Sequence, residues 1–438
     1  FWLKFAEPFS PCRSVPQARR ARARGMGPIP GPDAEEEEEE VIRGGWAWRQ
    51  PVSLLEGGGF QPINAFFRPR IGETRSEHEV NEDLSQDQVG MADRSRNRKR
   101  VENQPGHRPF SKYNLPSWVK HPLRNVTMQS CLIFPGEYNQ YAGMLAKHRD
   151  MPEVYNMLEL ATEAFGYDVR LMMEEGDIEE MGQVDYSMML MYVADCAAYE
   201  VLKKEHPEAA ANPKGIAGFG VGEYAALYAA GVITYDQGLI IVSTRAKAIK
   251  RWSEKQEMSA VGIYGLPESR VRELCLEAQE TDGKCGNEDP QADISHCWAP
   301  TGFVCAGRTS TIRELFEVAS RLEEPFVHEI ETTHDACHTP LVPRSVQEEV
   351  NAVIEDIPME KTRCDLYFNA GFRVDKDSDP DDIYDLLKSQ LVRPLRWDTF
   401  LFDAIERGTQ HFYECGPGHS LQDLMVYNVY SDAHGEMR

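Results

Sequence analysis

Residues 214 to 224 read Lys214-Gly215-Ile216-Ala217-Gly218-Phe219-Gly220-Val221-Gly222-Glu223-Tyr224. The apolar run ending at Phe219 has the length of a short buried strand, the glycines permit a tight reversal, and Glu223 to about Ala230 has the composition of a helix. Strand, glycine turn and helix in that order set the middle residue of the turn, Gly220, on the rim of an α/β sheet. A dinucleotide-binding loop is excluded, because G-x-G-x-x-G would need glycine at 223 and the chain has Glu223.

Working outward, strand and helix signals alternate. Gln129 to Pro135 reads as a short buried strand. Pro152 to Phe165 carries Val154, Met157, Leu158, Ala161 and Phe165 at helical spacing, and Met188 to Leu202 repeats the pattern. Further on, a strand from Ala260 to Gly265, a helix from Glu268 to Gln279, a strand ending near Cys305 and a helix from Thr311 to Leu322 suggest a small unit of their own. Alternation of this kind predicts the α/β class.

The charge divides the chain. The net charge is -24 over 438 residues, but residues 1 to 125 hold 20 basic and 17 acidic side chains, leaving 27 and 54 for residues 126 to 438. The acidic body excludes nucleic-acid and anionic-membrane binding by that part. Ten cysteines without a C-x-x-C pair argue against a disulfide scaffold, a structural zinc site or a redox motif, so no metal or cofactor is expected. The longest apolar stretches, such as Ala225 to Ile233, fall short of the roughly 20 residues of a membrane span.

Residues 1 to 125 are expected to form an extended N-terminal arm without its own core. Runs such as Glu35 to Glu40 and Gly57-Gly58-Gly59 alternate with apolar anchors including Trp46, Phe60, Phe66 and Trp118. Such a segment suits attachment to protein subunits of a large complex. Arg94, Arg96, Arg98, Lys99 and Arg100 are candidate phosphate contacts, so RNA contact is expected through the arm only. Five arginines and no acid between residues 13 and 24 have the composition of an organelle transit segment, mitochondrial or alternatively plastid.

Residues 129 to 430 resemble the malonyl-CoA:acyl carrier protein transacylases and the acyltransferase domains of fatty acid and polyketide synthases. Phe134-Pro135-Gly136-Glu137-Tyr138-Asn139-Gln140 resembles the family's FPGQGSQ loop and Gly218 to Tyr224 its GHSLGEY elbow. Arg245, His338-Thr339-Pro340-Leu341, Gln390-Leu391 with Pro394 to Trp397, and Glu414-Cys415-Gly416-Pro417-Gly418 resemble its arginine, FHSPLM, QLxxPVRW and EVGPG motifs in the same order. The resemblance implies an α/β hydrolase-like acyltransferase core over residues 126–258 and 320–438, with a ferredoxin-like subdomain inserted at 259–319.

In the family a serine at the elbow takes the acyl group, a histidine is the base, backbone N–H groups hold the oxyanion and an arginine pairs with the malonyl carboxylate. Here Gly220 stands at the serine position, Phe219 precedes it, Val221 follows it and Glu137 replaces a glutamine. Glycine offers no atom to acylate, and Glu137 brings negative charge to where an oxyanion would form. Gly220, Val221, His338, Arg245, Glu137, Gln390 and Asn369 are therefore expected to form a vestigial site with no catalytic residue, and Glu137 is a candidate partner for Arg245. The expectation is a protein that is not an enzyme, serving as a structural subunit of an organellar assembly such as a mitochondrial ribosome or respiratory complex. Two alternatives are an acyl-CoA or acyl carrier protein binding module and a transferase with atypical chemistry.

Overall fold

The computed structural model describes residues 63–64, 129–322, 326–330 and 336–425. The transit-like segment, the apolar anchors and the basic cluster Arg94 to Arg100 lie outside the described residues. In chain order come β1 (Ile63–Asn64), β2 (Ser130–Phe134), α1 (Pro152–Phe165), α2 (Val169–Glu175), α3 (Ile178–Met181), α4 (Val184–Glu205), α5 (Pro207–Ala211), β3 (Gly215–Gly218), α6 (Gly222–Ala230) and α7 (Tyr235–Ser253). There follow β4 (Met258–Tyr264), α8 (Glu268–Lys284), β5 (Ala292–Ala299), β6 (Gly302–Arg308), α9 (Thr309–Ser320) and β7 (Phe326–Ile330). The chain closes with α10 (Arg344–Asp356), β8 (Asp365–Tyr367), β9 (Arg373–Val374), α11 (Pro380–Ser389), β10 (Leu395–Arg396), α12 (Trp397–Glu406) and β11 (His411–Glu414).

The first sheet has the order β1-β11-β2-β3-β8-β9. Its centre, β11, β2, β3 and β8, is parallel, with Leu132 opposite both Tyr413 and Ile216. Every residue of β2 and β3 is buried, as a parallel strand covered on both faces requires. β1, from the segment expected to be an arm, joins the edge antiparallel, Ile63 facing Phe412. Helix α4 is buried along almost all of its length, from Val184 to Leu202, which is why its hydrophobic positions run on without a polar face. Helix α7 begins at a capping box in which Thr234 Oγ1 accepts from the Gln237 N–H and Gln237 Oε1 accepts from the Thr234 N–H.

The second sheet, β10-β5-β6-β4-β7, carries α8 and α9 over a core of Val261, Ile263, Leu274, Phe303 and Ile312. One strand was expected to end near Cys305; the structure has a hairpin, β5 and β6, turning at Pro300 and Thr301. The turn is only two residues long, too short a break between the two arms to be read from the sequence. Strands β7 and β10 come from beyond residue 319, so this sheet draws on more of the chain than the expected insertion.

Candidate functional site

The site lies at the C-terminal ends of β2, β3 and β8, where ligands gather in parallel α/β sheets. Between β3 and α6 the chain turns through Phe219, Gly220 and Val221. The turn is tight because helix and strand nearly touch: a Cβ on Gly222 would lie 2.4 Å from the Phe134 carbonyl oxygen. Gly220 has φ +55°, and the only non-glycine residues with positive φ among the described residues are Tyr138 (+70°) and His338 (+63°). All three belong to residues of the same cleft, and backbone strain of this kind clusters at functional sites.

The turn is held from three directions. The Gly220 N–H donates to Asn369 Oδ1 at 3.2 Å, and its carbonyl accepts from Asn369 Nδ2 at 3.0 Å and Gln390 Nε2 at 3.2 Å. Gln390 Oε1 in turn accepts from the Tyr224 hydroxyl at 3.1 Å. Glu223, almost wholly buried, accepts from the Asn369 N–H at 2.5 Å, and burial pushes its carboxyl up to about 8, partly offset by that bond and by Arg245. At neutral pH Glu223 therefore carries a proton for most of the time.

Two charges face this turn. Glu137, in the loop after β2, accepts from the Val221 N–H through Oε2 at 3.1 Å and pairs with the Arg245 guanidinium of α7 through Oε1 at 3.1 Å. His338 lies across the cleft, its backbone N–H donating to Leu391 O at 2.8 Å and its Nδ1 sitting 2.9 Å from Gln390 O. A carbonyl can only accept, so Nδ1 carries the hydrogen and Nε2 is the basic nitrogen. Burial first, then the positive charge of Arg245, hold His338 down to about 3, so the ring is neutral. Phe219 stacks on His296 at 5.5 Å, and His296 meets His338 edge-on at 5.4 Å, with burial again lowering His296 to about 3.

The structure thus brings together Gly220, Val221, Glu137, Arg245, Asn369, Gln390 and His338. The sequence reading missed Glu223 and Tyr224 as parts of the frame; the available signal was an acid breaking the apolar run from Val221 to Ala230. The cleft offers an N–H at an anion position, a buried guanidinium and a neutral imidazole, a set suited to a carbonyl or carboxylate ligand. Among the described residues no cluster of His, Cys, Asp or Glu could hold a metal ion, and no helix is long and apolar enough to cross a membrane.

No family model matches the chain. It is 29% identical to the human mitochondrial malonyl-CoA-acyl carrier protein transacylase over 312 residues, 70% of this chain and 79% of that protein. It is also 29% identical to the mouse mitochondrial enzyme of the same name over 300 residues, 68% and 78% of the two chains. A malonyl-transacylase solved in complex with its type II polyketide acyl-carrier protein shares the fold, with a TM-score of 0.62 and 22% identity over 69% of this chain and 93% of that one. The expectation that the chain is not an enzyme is overturned by these comparisons, since both curated relatives are named as transacylases. Gly220 brings no side chain to the cleft, around which the Val221 N–H, Arg245, His338 and Gln390 are held by hydrogen bonds. Over about 300 residues the chain is a homologue of the mitochondrial malonyl-CoA-acyl carrier protein transacylases, and it shares its fold with a solved malonyl-transacylase.

Proposed function

We propose that this chain is a mitochondrial protein that binds acyl carrier protein, or the acyl thioester it carries, in its transacylase cleft. The observation that carries the reading is the cleft frame, in which Asn369, Gln390 and Tyr224 hold the Gly220 turn so that the Val221 N–H, Arg245 and His338 face one space. The carrier-protein complex of a structural neighbour and the mitochondrial names of the relatives support it. The frame is built from buried, hydrogen-bonded groups and is therefore preorganised for a ligand. Isothermal titration of the full chain with holo-acyl carrier protein, with its malonylated form and with malonyl-CoA tests the reading. Saturable heat with the carrier protein is expected; no heat from any of the three at high concentration would remove it.

A second reading places the chain in a larger mitochondrial assembly, a ribosome or a respiratory complex, attached by residues 1–125. The apolar anchors spaced by charged and glycine-rich segments favour it, and Arg94 to Arg100 would supply the RNA contact in a ribosome. Affinity purification with mass spectrometry checks this reading: recovery with a stoichiometric set of subunits is expected, and loss of that set on deleting residues 1–125 assigns the attachment.

A further inference from the structure

The cleft already contains a carboxylate. Glu137 uses both oxygens, Oε2 on the Val221 N–H and Oε1 on Arg245, each at 3.1 Å. The Arg245 side chain is 0% exposed and that of Glu137 12%, so the pair is largely shielded from solvent. Gly220 makes the room. A Cβ there would lie 2.2 Å from Glu137 Oε2 and 3.3 Å from its Cδ, so any larger residue would push the carboxylate out. These two residues are far apart in sequence yet fit each other in space. The loop that bears Glu137 is pinned on either side: the Tyr138 N–H donates to Ser187 Oγ at 2.9 Å, and Asn139 Nδ2 donates to Gly136 O at 3.0 Å.

We propose that Glu137 is a tethered, autoinhibitory occupant of a carboxylate site formed by Arg245 and the Val221 N–H. The inference rests on the cleft being the binding site proposed above and adds how entry is controlled: a ligand carboxylate or thioester oxygen gains those two donors only when the Glu137 side chain swings away. Because it is covalently attached, Glu137 competes at a high effective concentration, so free carboxylates bind the intact protein weakly. No bond is made or broken in the exchange. The rival account, in which Glu137 serves only to neutralise Arg245 and nothing replaces it, differs in one measurable respect.

The experiment uses the full chain as wild type, Glu137→Ala and Glu137→Gln, with sodium malonate and sodium acetate as probes and sodium chloride at matched ionic strength as control. Thermal unfolding and calorimetry are the readouts. In Glu137→Ala the returned carboxylate fills the vacated site, and a hundredfold excess over Kd raises Tm by about 4 °C for a folded body of roughly 300 residues. Wild type shows at least about tenfold weaker malonate binding and no such rise. Should Glu137→Ala fail to fold, Glu137→Gln carries the same test, since its amide oxygen can still accept from Val221 but cannot form an ion pair with Arg245. The proposal is overturned if malonate and acetate stabilise neither variant beyond chloride, or if wild type binds malonate as tightly as the variants. Carrier protein is absent throughout, so a carboxylate response here, combined with no heat from carrier protein, its malonylated form or malonyl-CoA in the titration above, would sustain the occupied carboxylate site and remove the function proposed above.

Discussion

Replacing Gly220 by alanine should cost the protein far more than the same change at an ordinary exposed glycine, and most of the cost should pass through Glu137. The residue sits at φ +55°, where an L side chain costs about 1 kcal/mol. The new Cβ would also meet Glu137 Oε2 at 2.2 Å, so the carboxylate must leave the Val221 N–H. Losing a hydrogen bond to a charged acceptor adds about 1.5–3 kcal/mol. The sum is about 2.5–4 kcal/mol, or about 4–6 °C in Tm for a folded body of roughly 300 residues at ~2.1 cal/mol/K per residue. In a Glu137→Ala background the clash partner is gone, and Gly220→Ala should cost only the backbone part, about 1 kcal/mol. Urea unfolding of the two single variants and the double variant closes the cycle, with an expected coupling of about 1.5–3 kcal/mol. Equal costs for Gly220→Ala in the two backgrounds, within about 0.5 kcal/mol, would refute the reasoning.

Three further outcomes follow from the site. Asn369→Leu strips the Gly220 N–H of its acceptor and its carbonyl of one donor, and should destabilise by about 2–4 kcal/mol in urea unfolding. Stability should fall as pH rises from 6.5 to 8: buried Glu223 and Glu414 are raised from 4.5 to about 8, so the folded state holds protons that the unfolded chain has lost. Below 6.5 the opposite contribution enters, because His338 and His296, lowered from 6.5 to about 3, stay neutral when folded while the unfolded chain takes up protons. The two contributions offset each other between pH 4.5 and 6.5, and Glu223→Gln should flatten the alkaline side of the curve; an unchanged slope there would contradict the assignment. Trp397→Ala removes a buried ring packed on Phe219 at 5.6 Å and Phe400 at 4.5 Å, and should cost about 3–5 kcal/mol by the same unfolding assay.

How much of this was legible beforehand depended on distance along the chain. Helix α1 could be read to the residue because Val154, Met157, Leu158, Ala161 and Phe165, the positions that set its period, are the ones that are buried. The turn at Gly218 to Gly222 was legible for the same local reason. The β5–β6 hairpin was not, since a two-residue turn leaves no polar gap, and β10 was invisible because two residues carry no period. In the site, Arg245 and Glu137 were paired in the sequence reading only through family position, as they stand 108 residues apart. Asp195 was hidden altogether: it lies inside an apolar helix, fully buried, with both carboxylate oxygens lacking a hydrogen-bond partner among the described residues. Burial, then Glu414 and Glu137, raise its carboxyl well above the usual carboxylate range, so it can sit there uncharged. The step from Gly220 to inactivity went too far because one absent side chain is a local fact, whereas turnover depends on everything that faces the bound ligand.

The two residues of β10 have a mechanical consequence. Leu395 and Arg396 are continuous with α12 of the main body, yet they pair in parallel with His296 and Cys297 of the second sheet. Arg396 adds rivets on both sides, its N–H donating to Asn369 O at 2.7 Å and its guanidinium meeting Glu268 of α8 at 2.7 Å. A clam-shell opening between the two sheets would have to tear this seam, which runs directly beneath Asn369 of the cleft. Access must therefore come from loop and side-chain movement over a stiff floor, and the two sheets should unfold as one cooperative block.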